Sequence, residues 1–556
     1  MTKRTIVIVG GALSGPTAAA RAREVDEHAR ILLIERNAHV SYAVGGLAYH
    51  LSGEVKALAD LDSQRSDFFA SVYGVEVWTG AEATALDAPA RVLTVQRGGE
   101  RTTVPYDALV FALGAASPVP DVPGLSGKNV RTFRTLADLA ALKKALAGSG
   151  RRVAVLGGGS MGVEAADGLV RAKAKVTLVE RHQRLLPQLG TQVARHAEAA
   201  LAARARVILG AEVIGAESAR GKVRRLHLSN GTKLEVAAVV IAAGLSPRTE
   251  LLEAAGAVLA PDRTVLVDAL ARTSLPHVWA CGVCVSVPSA VTGRPVWSAQ
   301  GALADKTAQV AGANAAGAQV RLGAAAETML VRVLDTVVGR TGLSAAQARA
   351  HVGVDAEVTT IHAPSHDPWF PGADDVLVEL VWNRHSGRLL GAECAGRSGV
   401  DKRIDVAAAA IAGGLTVDQL AEVDLGYAPP FSAARDPINV AATVAAAHWR
   451  EWVRSIGAEQ LAKLAPTFQL VDVRGSKQHR AGTIAGAVHL PLEALRERVG
   501  ELDRKRPTVA FCDSGRRGYL AARLLQQRGL TDVRYLGGGL ASWQLVGQPL
   551  VRERAR

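Results

Sequence analysis

Several things are scarce in this chain, and each scarcity closes off a class of protein. Four cysteines in 556 residues are too few for a disulfide framework and point to a reducing, cytoplasmic setting. One Cys pair, Cys281 and Cys284, has the spacing of half a zinc site, but no second Cys or His pair with metal spacing lies near it in sequence, so no metal is expected. No apolar run approaches the ~18 residues of a membrane span, and the first residues run straight into an apolar strand, so neither a membrane segment nor a signal peptide is expected. Aromatics make up only 4%. The net charge of +13 is spread along the chain, with no Lys/Arg block interleaved with aromatics. That argues against nucleic acid and leaves a mild basic excess suited to anionic small molecules. What remains is 48% hydrophobic and 21% charged, a globular composition, in a chain long enough for about three or four domains.

The stretch Thr5 to Arg36, TIVIVGGALSGPTAAARAREVDEHARILLIER, organises the rest. Apolar residues Ile6 to Val9 suit a buried parallel strand, Gly10, Gly11 and Gly15 follow at once, and Thr17 to Ala22 reads as a helix. A second apolar run, Ile31 to Ile34, ends in Glu35. Strand, glycine turn, helix, strand and acid form a dinucleotide cradle. The glycines let backbone N–H groups approach a pyrophosphate, and the acid accepts from a ribose.

The pattern occurs twice. Val153 to Glu180 carries Gly157, Gly159 and Gly162 as GxGxxG and ends its next strand in Glu180. Two cradles in one chain imply two dinucleotides face to face, the arrangement that passes a hydride between a nicotinamide and a flavin. The expected cofactors are FAD at the first cradle and NADH at the second. Glu180 disfavours a 2′-phosphate, and Arg181 and His182 could soften that choice.

From His39 onward the motifs resemble those of the flavin-dependent pyridine nucleotide-disulfide oxidoreductases. The closest likeness is to coenzyme A-disulfide reductases and NADH-dependent persulfide reductases that end in a rhodanese domain. HVSYAVGGLAYHLSG, His39 to Gly53, resembles the segment whose redox Cys lies over the flavin, but the aligned residue here is Gly45 and Val44 replaces an Asn. Thr17 and Ser41 fit that family's coenzyme A pocket, whereas Glu24 stands where an Arg would meet phosphate. The resemblance makes Gly282 a flavin contact, yet Val283 replaces the Asp that would hold the ribityl chain. Cys281 and Cys284 form a Cys-x-x-Cys, readable either as a redox pair or as buried small residues. Ser298 to Gly317 reads as an Ala-rich helix and resembles the one that, in that family, lays its N-terminus towards the flavin ring. Cys394, in LLGAECAG, is expected to be core.

Thr328 to Val444 resembles the family's dimerisation domain, which implies a homodimer. Trp369 and Phe370 replace a pair of tyrosines, and Tyr427 of YAPPF is retained, either as a catalytic residue or as interface packing. A helical stretch around Ala445 to Ala465 is expected to lead into the last domain, which resembles a single rhodanese domain. Its key segment is CDSGRRG, Cys512 to Gly518. A Cys after a strand, wrapped by a loop that opens a helix, gains thiolate and then persulfide stabilisation from backbone N–H groups. The resemblance makes Asp513, Ser514, Gly515, Arg516 and Gly518 that loop and Arg517 its arginine, with Asp472 and Arg474 supporting it by ion pairing.

The expected fold is therefore α/β: two interleaved Rossmann-like domains, an α+β dimerisation domain and a C-terminal α/β rhodanese domain. The expected ranges are 1–119 and 240–325 for FAD, 120–239 for NADH, 326–445 for dimerisation, 446–455 as linker and 456–556 for the rhodanese. The resemblance implies electron flow from NADH through FAD to a small-molecule disulfide, a persulfide or a coenzyme A derivative, with sulfane sulfur carried on Cys512 from a donor such as thiosulfate. Without a Cys at position 45, two readings stand: reduction by direct transfer from the flavin to a persulfide, quinone or oxygen, or a rhodanese on a flavin-binding scaffold that has lost its reductase activity.

Overall fold

The computed structural model describes residues 3–61, 66–146, 151–351 and 355–552. It divides into two compact units, one of residues 1–185 and 201–327, the other of residues 186–200 and 328–556.

The first unit holds two parallel five-stranded sheets of the same construction. In one the order is Val278–Ala280, Ala108–Phe111, Thr5–Val9, Arg30–Glu35, Val75–Thr79; in the other it is Arg206–Leu209, Lys175–Glu180, Arg152–Leu156, Ala238–Ile241, Val130–Thr132. Alternation along the strands explains the first core. Ile6 and Ile8 bury against one face with Ala18, Ala22 and Leu33, while Val7 and Val9 bury against the other with Leu32, Ile34 and Phe111. A strand covered on both faces must be apolar throughout, which is why Ile6 to Val9 shows no polar alternation. Three-stranded antiparallel sheets, Ala81–Asp87 with Val92–Arg97 and Glu100–Pro105, and Val213–Ala219 with Lys222–Leu228 and Lys233–Glu235, accompany the two parallel sheets. The helix expected from Ser298 begins at Gly301 and runs to Ala315.

The second unit contains an antiparallel sheet in the order Met329–Val333, Thr336–Gly342, Leu389–Gly396, Asp375–Asn383, Ala356–Pro364. It also contains a parallel sheet in the order Arg454–Ile456, Val533–Leu536, Thr508–Phe511, Gln469–Asp472, Val488–His489. The expected helical stretch around Ala445 to Ala465 is broken. A helix ends at Trp449, Arg454–Ile456 is a strand, and a second helix spans Ala458–Leu464. The strand forms because Arg454, Ser455 and Ile456 pair with Arg534, Tyr535 and Leu536 at the sheet edge, a partner the local sequence does not reveal. Ala447 and Val453 pack into the same core as Val471 and Tyr535, so this connection is anchored at both ends.

Two histidines join the sheets of this unit. The Tyr535 hydroxyl lies 3.1 Å from His448 Nε2, His448 Nδ1 lies 3.3 Å from Thr359 Oγ1, and Trp382 donates its indole N–H to the same threonine hydroxyl at 3.1 Å. His362 Nε2 lies 3.1 Å from Ser542 Oγ. Burial lowers the pKa of each to about 4, with His196 adding repulsion at His362. The unfolded chain therefore binds more protons than the folded one between about pH 6.5 and pH 4, so this stability is complete above that window and is lost as pH falls through it. On the order of 1–3 kcal/mol per histidine is at stake. Thermal melts of the full chain from pH 8 to pH 4 should show the loss, and a His362→Gln/His448→Gln variant should show a shallower slope. An identical slope in the variant would remove these residues from the account.

Candidate functional site

The two glycine turns are near copies. Gly10 N–H donates to Ile34 O at 2.9 Å and Gly157 N–H to Val179 O at 2.8 Å. Their φ angles are +111° and +110°, and a Cβ at either would collide with a carbonyl oxygen of the neighbouring strand's exit, Ala112 O or Ala242 O. Gly15 and Gly162 sit where a Cβ would collide with Gly10 O and Gly157 O, so helices Ser14–Val25 and Ser160–Arg171 start directly on their turns. Both acids fold back in the same way. Glu35 accepts from Gly11 N–H at 2.6 Å and Asn37 N–H at 2.7 Å, and Glu180 accepts from Gly158 N–H at 2.5 Å and His182 N–H at 2.8 Å. A carboxylate has about four acceptor sites, so a ribose hydroxyl can join these donors.

Superposing the two turns by these contacts pairs Gly11 with Gly158, and Ala12 with Gly159. A Cβ at Gly11 would lie 2.8 Å from Glu35 Cβ, and one at Gly158 would lie 2.6 Å from Leu185. At Gly159 it would meet nothing within 4 Å. The position open to a pyrophosphate in the first turn is thus Ala12, which the motif reading missed and a register alignment of the two copies could have found. Gly282, at φ +80°, leaves its missing Cβ to Ser14 Oγ, which would lie 2.5 Å away, and donates its N–H to Thr307 Oγ1 at 2.9 Å. Of these glycines only Gly159 faces open space; the others let strand, helix start and acid approach one another, and a helix N-terminus beside a carboxylate at each turn fits a dinucleotide.

Around the first turn, Ser41 adopts φ +56° and donates its N–H to Gly11 O at 2.7 Å, which ties that segment to the cradle. Thr17 donates its hydroxyl to Asp305 at 3.1 Å, and Glu24 pairs with Arg21 at the surface. Gly45 is exposed in the short turn Val44–Gly46, and a Cβ there would meet nothing within 4 Å. Tyr42 is buried beside Arg134 and Arg248. Burial, followed by repulsion from Arg248, lowers Arg134; burial, then Arg36, lowers Arg248; burial, then Glu35, raises Tyr42. This cationic cluster beside Glu35 was invisible to motif reading, because its members are far apart in sequence. Cys281 and Cys284 are fully buried and free, and the Cys284 thiol donates to Cys281 O at 3.1 Å. Burial, reinforced by the neighbouring thiol, pushes Cys281 well up, and burial pushes Cys284 up to about 11. Both remain thiols at neutral pH, so the buried-residue alternative fits them. Cys394 is fully buried, as expected.

In the second unit, Arg403 is completely buried and holds Asp436 through two hydrogen bonds, at 3.0 and 2.7 Å, while donating also to Ser365 O at 2.7 Å. Asp436 caps the helix Pro437–Trp449 through Ile438 N–H. The clamp anchors both loops that carry the expected aromatic residues. Tyr427 donates to Asp367 at 2.8 Å, which raises its pKa, and Trp369, Tyr427 and Phe431 are 70%, 53% and 73% exposed.

Cys512 follows strand Thr508–Phe511 and is buried, 1% exposed. Gly515 at φ +94° turns the chain into helix Arg516–Gln527. Among the described residues, no acceptor takes the backbone N–H groups of Ser514 to Gly518, so they are available to an anionic sulfur. Asp472 is fully buried and accepts from Arg474, His479 and Thr483. Burial alone would raise its pKa, but those hydrogen bonds outweigh it and lower the pKa to about 2. Arg474 also reaches Asp513 at 3.1 Å, and Arg517 pairs with Asp513 at 2.8 Å. Arg516 is exposed, and Gly518 packs against Ala510 and Phe511.

Comparison with known proteins agrees with this layout. The pyridine nucleotide-disulphide oxidoreductase family model matches residues 4–304, its dimerisation domain matches 329–437 and the rhodanese-like domain matches 457–545. The chain is 28% identical over 444 residues to an NAD(P)H sulfur oxidoreductase (CoA-dependent) of Pyrococcus abyssi, covering 80% of this chain and 98% of that protein. It is 28% identical over 452 residues to an NAD(P)H coenzyme A polysulfide/persulfide reductase of Pyrococcus horikoshii, covering 80% and 98%. Among solved structures, reduced Bacillus anthracis CoADR-RHD superposes with a TM-score of 0.95 at 28% identity, over 98% of each chain. An NAD-dependent persulfide reductase from A. fulgidus superposes with a TM-score of 0.91 at 29% identity, over 97% of this chain and 100% of that one.

The two kinds of glycine predict separable phenotypes. Gly159→Val, which meets open space, should leave the melting temperature close to wild type and abolish nicotinamide-nucleotide binding. Gly162→Ala collides with the turn and should lower stability by about 2–4 kcal/mol. Melting curves and nucleotide titrations of both variants check this; equal destabilisation by both would contradict the assignment.

Proposed function

This chain belongs to the pyridine nucleotide-disulphide oxidoreductase family and carries a C-terminal rhodanese-like domain, and from that premise we propose that it is an FAD- and NADH-dependent reductase of low-molecular-weight persulfides, polysulfides or coenzyme A disulfides whose sulfane sulfur is carried on Cys512. The observation that carries the reading is the repeated turn at Gly10 and Gly157, built alike twice in one unit. The names of the relatives from Pyrococcus support the substrate class. In this reading residues 1–119 with 240–325 hold FAD, 120–239 hold NADH, 326–445 make the dimer contact, 446–455 link and 456–556 transfer sulfur.

FAD, when bound, supplies two-electron transfer between the nicotinamide and a sulfur acceptor. Gly10 and Gly15 let a helix start on the turn, and its N-terminus would face the pyrophosphate; Glu35 would take the adenosine ribose, and Gly282 seats its loop against Ser14 and Thr307 beside that turn. Gly157, Gly159, Gly162 and Glu180 do the same for NADH, and the buried Glu180 carboxylate opposes a 2′-phosphate. The net reaction with a persulfide consumes NADH, one proton and RSSH, and yields NAD⁺, RSH and hydrogen sulfide. Gly45 provides no thiol for a mixed disulfide, so a bound flavin would have to reduce the acceptor directly, and Thr17 and Ser41 would be the residues to hold that acceptor. Cys512 takes sulfane sulfur as a persulfide held by the N–H groups from Ser514 to Gly518. The exposed Trp369, Tyr427 and Phe431 fit a second copy of the chain, with Tyr427 presented to its partner's site.

Anaerobic NADH titration should bleach a bound flavin faster than NADPH does, with no long-wavelength thiolate-to-flavin band. Gly45→Cys has room for its side chain and should create that band. Cys512→Ser in the full chain should abolish thiosulfate:cyanide and persulfide sulfur transfer while leaving bleaching intact. A protein that takes up no FAD, or a Cys512→Ser protein that still transfers sulfur, would overturn the corresponding half of the proposal.

A further inference from the structure

We propose that the Asp513 carboxylate selects the sulfur donor of Cys512, masking Arg517 so that organic persulfides bearing little charge are used in preference to dianionic thiosulfate. The inference rests on Cys512 being the sulfur carrier.

Asp513 directly follows Cys512 and is the hub of the loop. One oxygen accepts from Arg474 at 3.1 Å; the other accepts from Arg517 at 2.8 Å and from Gln478 Nε2 at 2.7 Å. Arg517 places its other terminal nitrogen 3.1 Å from Gln478 Oε1, so its guanidinium is held on two sides. The remaining donors of Arg474 go to Asp472 and Gly482 O. Two carboxylates thus face two guanidiniums, and their formal charges cancel. Arg516 is exposed to water, where a lone charge is screened.

What the loop still offers is hydrogen bonding. The N–H groups of Ser514 to Gly518 suit one negative sulfur, but the loop's arginine is already paired where a sulfonate would need it. The Asp513 side chain is 45% exposed while the adjoining Cys512 is 1% exposed, so the carboxylate meets solvent directly beside the hidden sulfur. With a persulfide, the Cys512 thiolate attacks the outer sulfur of R–S–SH. The donor S–S bond breaks, RS⁻ leaves with the electron pair, and Cys512 keeps S–SH. With thiosulfate the same attack expels sulfite, so a dianion must both enter and leave beside Asp513. With the positive charge of the loop cancelled, nothing offsets the hydration that a dianion loses, whereas a donor of little charge has little to lose, and the paired Asp513 therefore discriminates between the two.

The test uses the full-length protein with thiosulfate and with 2-hydroxyethyl persulfide as donors, each at low and at ~0.15 M ionic strength. Asp513→Asn keeps the shape and the acceptor oxygen while removing the charge. It should raise the thiosulfate-to-persulfide ratio of kcat/KM about tenfold and make thiosulfate use fall more steeply with salt. Arg517→Gln exposes the carboxylate and should move the ratio the other way. Melting curves of both variants establish that they are folded. Shifts in the same direction, or ratios that stay within about twofold of wild type, overturn the selection by Asp513. Failure of the parent reading looks different: Cys512→Ser would then still transfer sulfur from both donors, and this inference would fall with it.

Discussion

The first unit depends on one steric fact, that the chain leaving Thr5–Val9, and again the chain leaving Arg152–Leu156, passes against the carbonyl of the neighbouring strand with no room for a Cβ. Only glycine adopts the φ near +110° found there without strain. That turn throws the chain into a helix that starts on the turn itself, which in turn requires Gly15 and Gly162. The acids at the ends of the next strands then reach the glycine N–H groups. Helix start, backbone donors and carboxylate arrive together because one glycine permits the approach.

The second unit is held by buried charge. Arg403 with Asp436, and Arg474 with Asp472, each bring a guanidinium and a carboxylate out of water with several hydrogen bonds per partner. Such pairs add little net stability, yet breaking one costs roughly 3–5 kcal/mol because the orphaned charge remains buried. Their value is positional. The first anchors the loops that display Trp369, Tyr427 and Phe431, and the second anchors the loop that follows Cys512. The exposed aromatic residues and the loop after Cys512 therefore each stand close to a buried ion pair.

The four thiols divide by surroundings. Cys281 and Cys284 lie in apolar cores, and Cys394 is fully buried beside Arg403, Glu393 and Asp436; burial pushes all three thiols up. Cys512 is equally hidden, but it lies between a strand end and a helix start, beside unpaired N–H groups.

The amino-acid sequence alone determined the two cradles, the order of the domains and the loop of Cys512, because each is a local pattern in which neighbouring residues supply both the turn and the donors. Contacts between distant residues were decided only by the tertiary structure. Ala12 takes the place of Gly159 because strand register, not glycine count, aligns the turns. Arg454–Ile456 is a strand because Val533–Leu536 offers it an edge. Arg134 and Arg248 meet at Tyr42 from separate segments, and Asp513 gains its neutralising role only when Arg474 and Gln478 close in around it. Hydrogen bonding and charge act through space, so a residue's partners across the fold cannot be read from its neighbours along the chain.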